Sequence, residues 1–375
     1  MPASIRVIGS LNADMVSVTP RFPEAGETIT ATSFTTTAGG KGANQAVACG
    51  RLSRTRPASS SSTTRSGGDV EVEMIGAVGA LDGHFASILQ PTLEGSGVKT
   101  SRIREIEDEH TGVAVIIVDS SAGGENRILF SPGANYAGMR PTPDVLGLAL
   151  SLPPPDVMVL QAEIPIETVI EIVRGVGRWK RENVEGARDV EVVFNPAPAP
   201  EGGLPEDVYR SVDHLIMNET ESDIMAPKEL RGVSDVRERR DQIMRYFHRL
   251  GVRYVLITLG SKGVLYSAAD VGQEAQKDQS SWTRYVQEVP AAKVEKVVDT
   301  TAAGDTFVGA YAVKIARWKE QRRANGMAGK ELTVDERKER YEKVIDDAVR
   351  YATRAAARGV ERQGAMDSIP WENEI

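Results

Sequence analysis

A single cysteine, Cys49, stands in this chain of 375 residues, so no disulfide can form within it and a cysteine-based zinc site is excluded. Basic charge is not in excess either. The formal net charge is −8, and the densest basic run, Arg237-Glu-Arg-Arg240, has acids beside it. That pattern suits a solvated helix face and argues against nucleic acid as a partner, because neutralising phosphates needs clustered Lys and Arg. No apolar run reaches membrane-spanning length, so no membrane partner is expected. Met1-Pro-Ala-Ser-Ile-Arg-Val-Ile enters a strand without an apolar leader, which predicts a reducing, cytoplasmic setting, with the nucleus left open. In that setting the glycosylation match at Asn218-Glu-Thr220 carries no weight. Several nucleotide motifs are missing as well. Gly42 follows Lys41 where a P-loop needs Ser or Thr, Gly76-Ala-Val-Gly79 completes no dinucleotide fingerprint, and there is no His-Arg-Asp set. No internal repeat is evident.

What is present is an alternation. Apolar runs at Ile5–Gly9, Val72–Val78, Val157–Leu160, Val190–Phe194, His214–Met217 and Tyr254–Leu259 are separated by helical patterns at Ala43–Cys49, Phe85–Leu93, Ile166–Arg181 and Val236–Leu250. This predicts an α/β fold with a mostly parallel central sheet flanked by helices. A hydrophobic content of 41% is enough for a large core. Met15–Gly39 and His110–Pro132, the latter around Gly123-Gly124, alternate without a helix between and read as antiparallel hairpins. These would form a small β sheet serving as a lid or an oligomer contact. Residues 56–69, 268–281 and 319–340 read as polar or charged insertions, the last of which either extends two helices or stays flexible.

In such sheets ligands bind beyond the carboxyl ends of the strands. Val297-Val-Asp-Thr-Thr-Ala-Ala-Gly304-Asp305-Thr-Phe reads as a strand that breaks into small residues and restarts as a helix over Thr306–Arg317. Free first-turn N–H groups and the positive end of the helix dipole would make an anion site there. Asp305 at its mouth reads either as a helix cap or as a base that takes a proton from an attacking hydroxyl. Asn12, Asp14, Lys41, Asn44 and Glu163 sit at other strand ends, a donor and acceptor set suited to a polyhydroxyl ligand. Asn218 and Glu221 could organise hydrated Mg²⁺ and phosphate, and Thr258–Gly263 offers N–H groups in a glycine turn.

These motifs, Gly9-Ser-Leu-Asn12-Ala-Asp14, Gly39-Gly-Lys-Gly-Ala-Asn44-Gln-Ala, Asn195-Pro-Ala-Pro, Asn218-Glu-Thr-Glu221, Ile257-Thr-Leu-Gly-Ser-Lys-Gly263 and Asp299-Thr-Thr-Ala-Ala-Gly-Asp305, occur in one order. Together they resemble the ribokinase branch of the PfkB carbohydrate kinases, up to Ser368-Ile-Pro-Trp371. The resemblance implies one ribokinase-like α/β domain over residues 1–375, with lid segments at about 12–40 and 108–134. It implies that Asn12, Asp14, Gly40, Lys41, Gly42, Asn44 and Glu163 hold D-ribose, and that Asp305 deprotonates its 5-hydroxyl. The backbone of Ala302, Ala303 and Gly304 would stabilise the moving phosphoryl group. Asn218, Thr258, Leu259, Gly260, Ser261, Lys262, Gly263 and Gly304 would contact ATP, with Glu221 acting through Mg²⁺. Thr353 stands where an Asn or His usually approaches the adenine. A K⁺ site maps to Asp299, Thr301, Gly359, Arg362, Gly364 and Ser368, largely through carbonyl oxygens. The hairpins would close over the sugar and pair in a homodimer. Kinases for deoxyribose, fructose or adenosine, a sugar sensor with a retired site, and a nucleotide-binding scaffold are the alternatives.

Overall fold

The computed structural model describes residues 2–57, 69–121, 125–182, 190–270 and 284–375. Its strands are β1 (Ser4–Ile8), β2 (Asn12–Thr19), β3 (Ser33–Gly39), β4 (Glu71–Gly79), β5 (Val98–Ile106), β6 (Gly112–Asp119), β7 (Glu125–Ser131), β8 (Val157–Leu160), β9 (Glu191–Phe194), β10 (His214–Asn218), β11 (Tyr254–Thr258), β12 (Val264–Ala269) and β13 (Arg284–Val289). Nine of them form one sheet in the order β13-β12-β11-β10-β9-β8-β1-β4-β5. Pairing is parallel from β11 through to β5 and antiparallel only at the β11–β12–β13 edge. Strands β8 and β9 are buried along their whole length, which is why their sequences are near-continuously apolar: helices cover both faces.

The helices that position the site are α1 (Lys41–Arg51), α2 (Ile166–Arg181), α3 (Glu219–Met225), α4 (Val236–Leu250), α5 (Ala303–Ala324) and α6 (Ile345–Gly359). One core face packs Val47 of α1, Phe307 and Tyr311 of α5 and Val349 of α6, and the other packs Val173 of α2 and Phe247 of α4. α5 crosses α1 closely. A Cβ on Gly309 would lie 2.4 Å from that of Ala48, so only glycine permits this approach, and it brings the first turn of α5 to the start of α1.

The remaining strands form the second sheet, in the order β3-β2-β6-β7. Both expected hairpins are there, β2 with β3 and β6 with β7, but the two inner strands, β2 and β6, run parallel.

Two expectations need correction. Val297–Asp299 is not a strand. Residues 291–300 contain none, Val297 and Val298 are 60% and 50% exposed, and the N–H groups of Val298 and Asp299 donate to Val360 O at the end of α6 instead of to a strand edge. The helix expected over Thr306–Arg317 begins three residues sooner and runs on to Ala324. In residues 319–340, α5 runs on to Ala324 and a short helix spans Val334–Glu339; most of the stretch is exposed, but its two ends, Lys319 and Arg340, are buried and converge on buried Glu191. Glu191 accepts from Arg340 at 2.6 Å, His214 Nε2 at 2.7 Å and Lys319 Nζ at 3.3 Å. Burial pushes its carboxyl up, but Arg340 and Lys319 hold it well below the usual carboxylate range. Of the other two insertions, residues 58–68 and 271–281 lie outside the described residues, as do Gly123 and Gly124, while Ala268 and Ala269 complete β12.

Candidate active site

The carboxyl ends of the parallel strands converge on one edge. There β1 leads to Ser10 and Asn12, β8 to Gln161 and Glu163, β9 to Asn195, β10 to Asn218 and β11 to Thr258–Gly263. The start of α5 faces this edge. Its N-cap, Ala302, has φ 57° and ψ 10°, the only positive φ among the described non-glycine residues. An Ala in the left-handed region costs about 1 kcal/mol or more, and such strain collects at functional sites. The turn leaves the Ala303 N–H donating to Thr300 O at 3.2 Å. The donors left for an anion are therefore the Ala302, Gly304 and Asp305 N–H groups.

Asp305 is 6% exposed, and its carboxylate does not cap its own helix. Asn44 Nδ2 donates to Oδ2 at 3.0 Å and Gln45 Nε2 to Oδ1 at 2.9 Å. Both amides belong to the first turn of α1, so the α1–α5 crossing fixes the orientation of the carboxylate. Asn44 Oδ1 is buried without a partner, an acceptor left for a ligand hydroxyl.

Around it lie the residues expected to hold a sugar. Glu163 Oε2 accepts from Ser10 Oγ at 2.6 Å and from the Lys41 N–H at 3.0 Å, and Gly42 N–H donates to Ser10 Oγ at 3.3 Å. Gly40, at φ 91°, makes the turn into α1. Asp14 is seated against Gly39, where a Cβ would lie 2.1 Å from Oδ2. Asn12 Oδ1 accepts from buried Asn135 Nδ2 at 2.8 Å.

The electrostatics couple these groups. Burial, then Glu163 and Asp305, push Asp14 up to about 7 against the pull of Lys41. Burial raises Glu163, with Lys41 again opposing. Asp305 and Glu163 outweigh the effect of burial on Lys41 and raise its ammonium, with Glu221 and Asp14 adding to them. Lys41 is thus the cation shared by Asp14, Glu163, Glu221 and Asp305.

On the other side of the α5 turn is a cavity of about 480 Å³. Of the expected nucleotide set, Thr258, Gly260, Ser261, Gly263, Gly304 and Thr353 line it, and Thr353 turns its hydroxyl to Val349 O within α6. Leu259 is buried in the core, and Lys262 lies outside the lining. Asn218 and Glu221 form a reciprocal capping box on α3: Glu221 N–H to Asn218 Oδ1 and Asn218 N–H to Glu221 Oε2, both 2.8 Å. The box leaves Glu221 Oε1 and Asn218 Nδ2 outside it. Burial raises the Glu221 carboxyl against the Asn218 N–H bond and the pull of Lys41, with Asp305 adding to the rise.

Behind the anion turn, Asp299 Oδ1 accepts from Thr301 N–H at 2.8 Å and Oδ2 from Gly364 N–H at 3.0 Å, joining the two loops expected to share a cation. A Cβ on Gly359 would lie 3.9 Å from Ser368 O, so these two belong to one corner. Arg362 directs its guanidinium to Glu374, leaving only its carbonyl for an ion. The described residues hold no cluster of three or more acidic, His or Cys side chains fit for a metal.

Sequence reasoning assigned no role to Gln45, Asn135, Gln161 and Asn195. Gln45 lies inside a quoted glycine motif, Asn195 opens another, and Gln161 follows a strand. Those positions were the available signals. Asn135, after the Pro132-Gly133 turn, had none.

The chain resembles known proteins over nearly its whole length. Over 373 residues the chain is 35% identical to a ribokinase of Schizosaccharomyces pombe, covering 98% of this chain and 95% of that one. Over 378 residues it is 32% identical to a Bacillus subtilis ribokinase, covering 99% and 98%. The solved Arabidopsis thaliana ribokinase complexed with ribose and ATP superposes with a TM-score of 0.73 at 28% identity, covering 100% of this chain and 97% of that one. Residues 2–372 match the pfkB family of carbohydrate kinases, and the chain belongs to that family.

Proposed function

We propose that this chain is an ATP-dependent ribokinase that transfers the γ-phosphoryl group of ATP to the 5-hydroxyl of D-ribose. The observation that carries it is the position of Asp305. Its carboxylate is buried and held by two amides, with the polyhydroxyl-type set Asn12, Asp14, Lys41, Asn44 and Glu163 on one side and the cavity on the other. The hydroxyl oxygen bonds to the γ-phosphorus, its proton passes to Asp305, the bond to the β-phosphate oxygen breaks, and ADP leaves. The Ala302, Gly304 and Asp305 N–H groups, at the positive end of α5, stabilise the charge on the moving group.

The donor set fits two ions. Glu221 Oε1, a lone carboxylate oxygen, suits Mg²⁺, which keeps most of its waters. Mg²⁺ neutralises charge on the β and γ phosphates when bound. The Asp299 carboxylate with carbonyls of Thr301, Gly359, Arg362, Gly364 and Ser368 suits K⁺, whose charge fixes the anion turn when bound. The segments 12–40 and 108–134 act as a lid that excludes water from the phosphate, on a single domain. Exposed Phe34, Ile128 and Leu129 on the outer strands of the lid support pairing of two copies through it. Among the described residues no helix is long and apolar enough to cross a membrane. Ribose-dependent release of ADP tests the assignment.

A further inference from the structure

Three buried amides near Asp305 have no part in the chemistry above. Gln45 is fully buried and cannot reach a ligand. Both hydrogens of its Nε2 are used, one on Asp305 Oδ1 at 2.9 Å and the other on Asn195 Oδ1 at 3.0 Å. Its Oε1 accepts from Gln161 Nε2 at 2.7 Å. Asn195 is fixed in turn, because its Nδ2 donates to Ile216 O at 2.9 Å on β10. Gln161 is held against the backbone of Gly9, where any Cβ would lie 1.9 Å from its Oε1.

Asp305 and Asn195 set the orientation of the Gln45 amide, and Gln161 follows it, with its own Oε1 buried without a partner. Turning the Gln45 amide over would set its carbonyl oxygen against both the Asp305 carboxylate and Asn195 Oδ1. Each of those contacts is repulsive in a buried site. The amides come from the ends of β8 and β9 and from α1, so the carboxylate is tied to the rigid sheet as well as to its own helix.

We propose that Gln45 is the positioning residue of the base. Asn195 sets its amide and Gln161 locks it in place, so that it holds Asp305 Oδ1 from the far side and leaves the carboxylate turned to the sugar hydroxyl. The inference rests on Asp305 being the base. Gln45 acts through Asp305 and touches no substrate, so its loss should appear in turnover and not in sugar affinity.

The test is steady-state kinetics of the full chain with ribose and Mg·ATP, comparing Gln45→Met, which keeps length without hydrogen bonds, with Asp305→Asn and with the double variant. Gln45→Met should lower kcat about 10- to 100-fold, the worth of a hydrogen bond to a charged group, while the ribose KM stays within about threefold. In the Asp305→Asn background the same change should cost little more, because its effect passes through the carboxylate. A wild-type kcat in Gln45→Met, or an equal further loss in the double variant, overturns the relay. Wild-type turnover in Asp305→Asn overturns the base itself, so the two failures are distinguishable. Should Gln45→Met not fold, Gln161→Met decides: a fall in kcat at constant KM supports the lock, and an unchanged kcat refutes it.

Discussion

Asn44 Nδ2 and Asp305 Oδ2 lie 3.0 Å apart although 261 residues separate them in the chain. The bond joins the start of α1, which carries sugar-site residues, to the anion turn of α5. It also separates the two readings of Asp305, since a carboxylate held by another helix is not capping its own.

Asp305→Asn keeps the shape and removes the base. Turnover should fall about 100- to 10,000-fold, the usual range for a positioned base. Ribose binding by calorimetry should persist, and a variant as active as the wild type would exclude proton transfer to Asp305.

Asp14 gives the site a pH dependence. Its pKa, raised from 3.8 to about 7, means the unliganded fold holds the proton more tightly than the unfolded chain. That contribution to stability is present below pH 3.8 and is lost as pH rises through about 7. Sugar hydroxyls need the ionised form as acceptor, so ribose affinity should rise across the same interval. Calorimetry between about pH 5.5 and 8.5 checks it, with the Asp14→Asn variant expected to bind weakly at every pH.

Lys41 is shared among Asp14, Glu163, Glu221 and Asp305. Lys41→Met should therefore weaken ribose binding near neutral pH and move the rise in affinity to higher pH, because without the lysine Asp14 holds its proton more tightly. Binding that stays at wild-type strength at neutral pH would show that the lysine is not the counter-charge.

Asp299→Ala should remove stimulation by potassium while sparing the rate seen in sodium, because the carboxylate joins the loops at Thr301 and Gly364. Turnover measured with each salt decides this, and equal stimulation in variant and wild type would reject the site.

Glu191→Ala removes the carboxylate beneath Lys319, Arg340 and His214 and leaves buried cations unpaired. The expected loss of stability is about 3–5 kcal/mol, read from denaturant melts, with little change in kcat. The cluster lies at the amino ends of β9 and β10, away from the chemistry.

The contrast between these clusters shows what the sequence made legible. Apolar runs such as Val157–Leu160 reveal central strands because both faces are buried, and small residues before Asp305 reveal the turn. Lys319 and Arg340 were opaque, since a charged run reads as solvated until its buried partner, 128 or 149 residues away, is known. Val297 and Val298 misled for the opposite reason: two exposed valines look like a strand. Gln45, Gln161 and Asn195 are ordinary amides until folding closes separations of 116 to 260 residues.

The most direct measurement is ADP release from Mg·ATP with ribose, deoxyribose, fructose or adenosine, each in potassium and in sodium. Fast turnover on ribose, stimulated by potassium and lost in Asp305→Asn, is the expected result. Ribose that binds by calorimetry without releasing ADP would contradict the account and leave a sugar-sensing protein in its place.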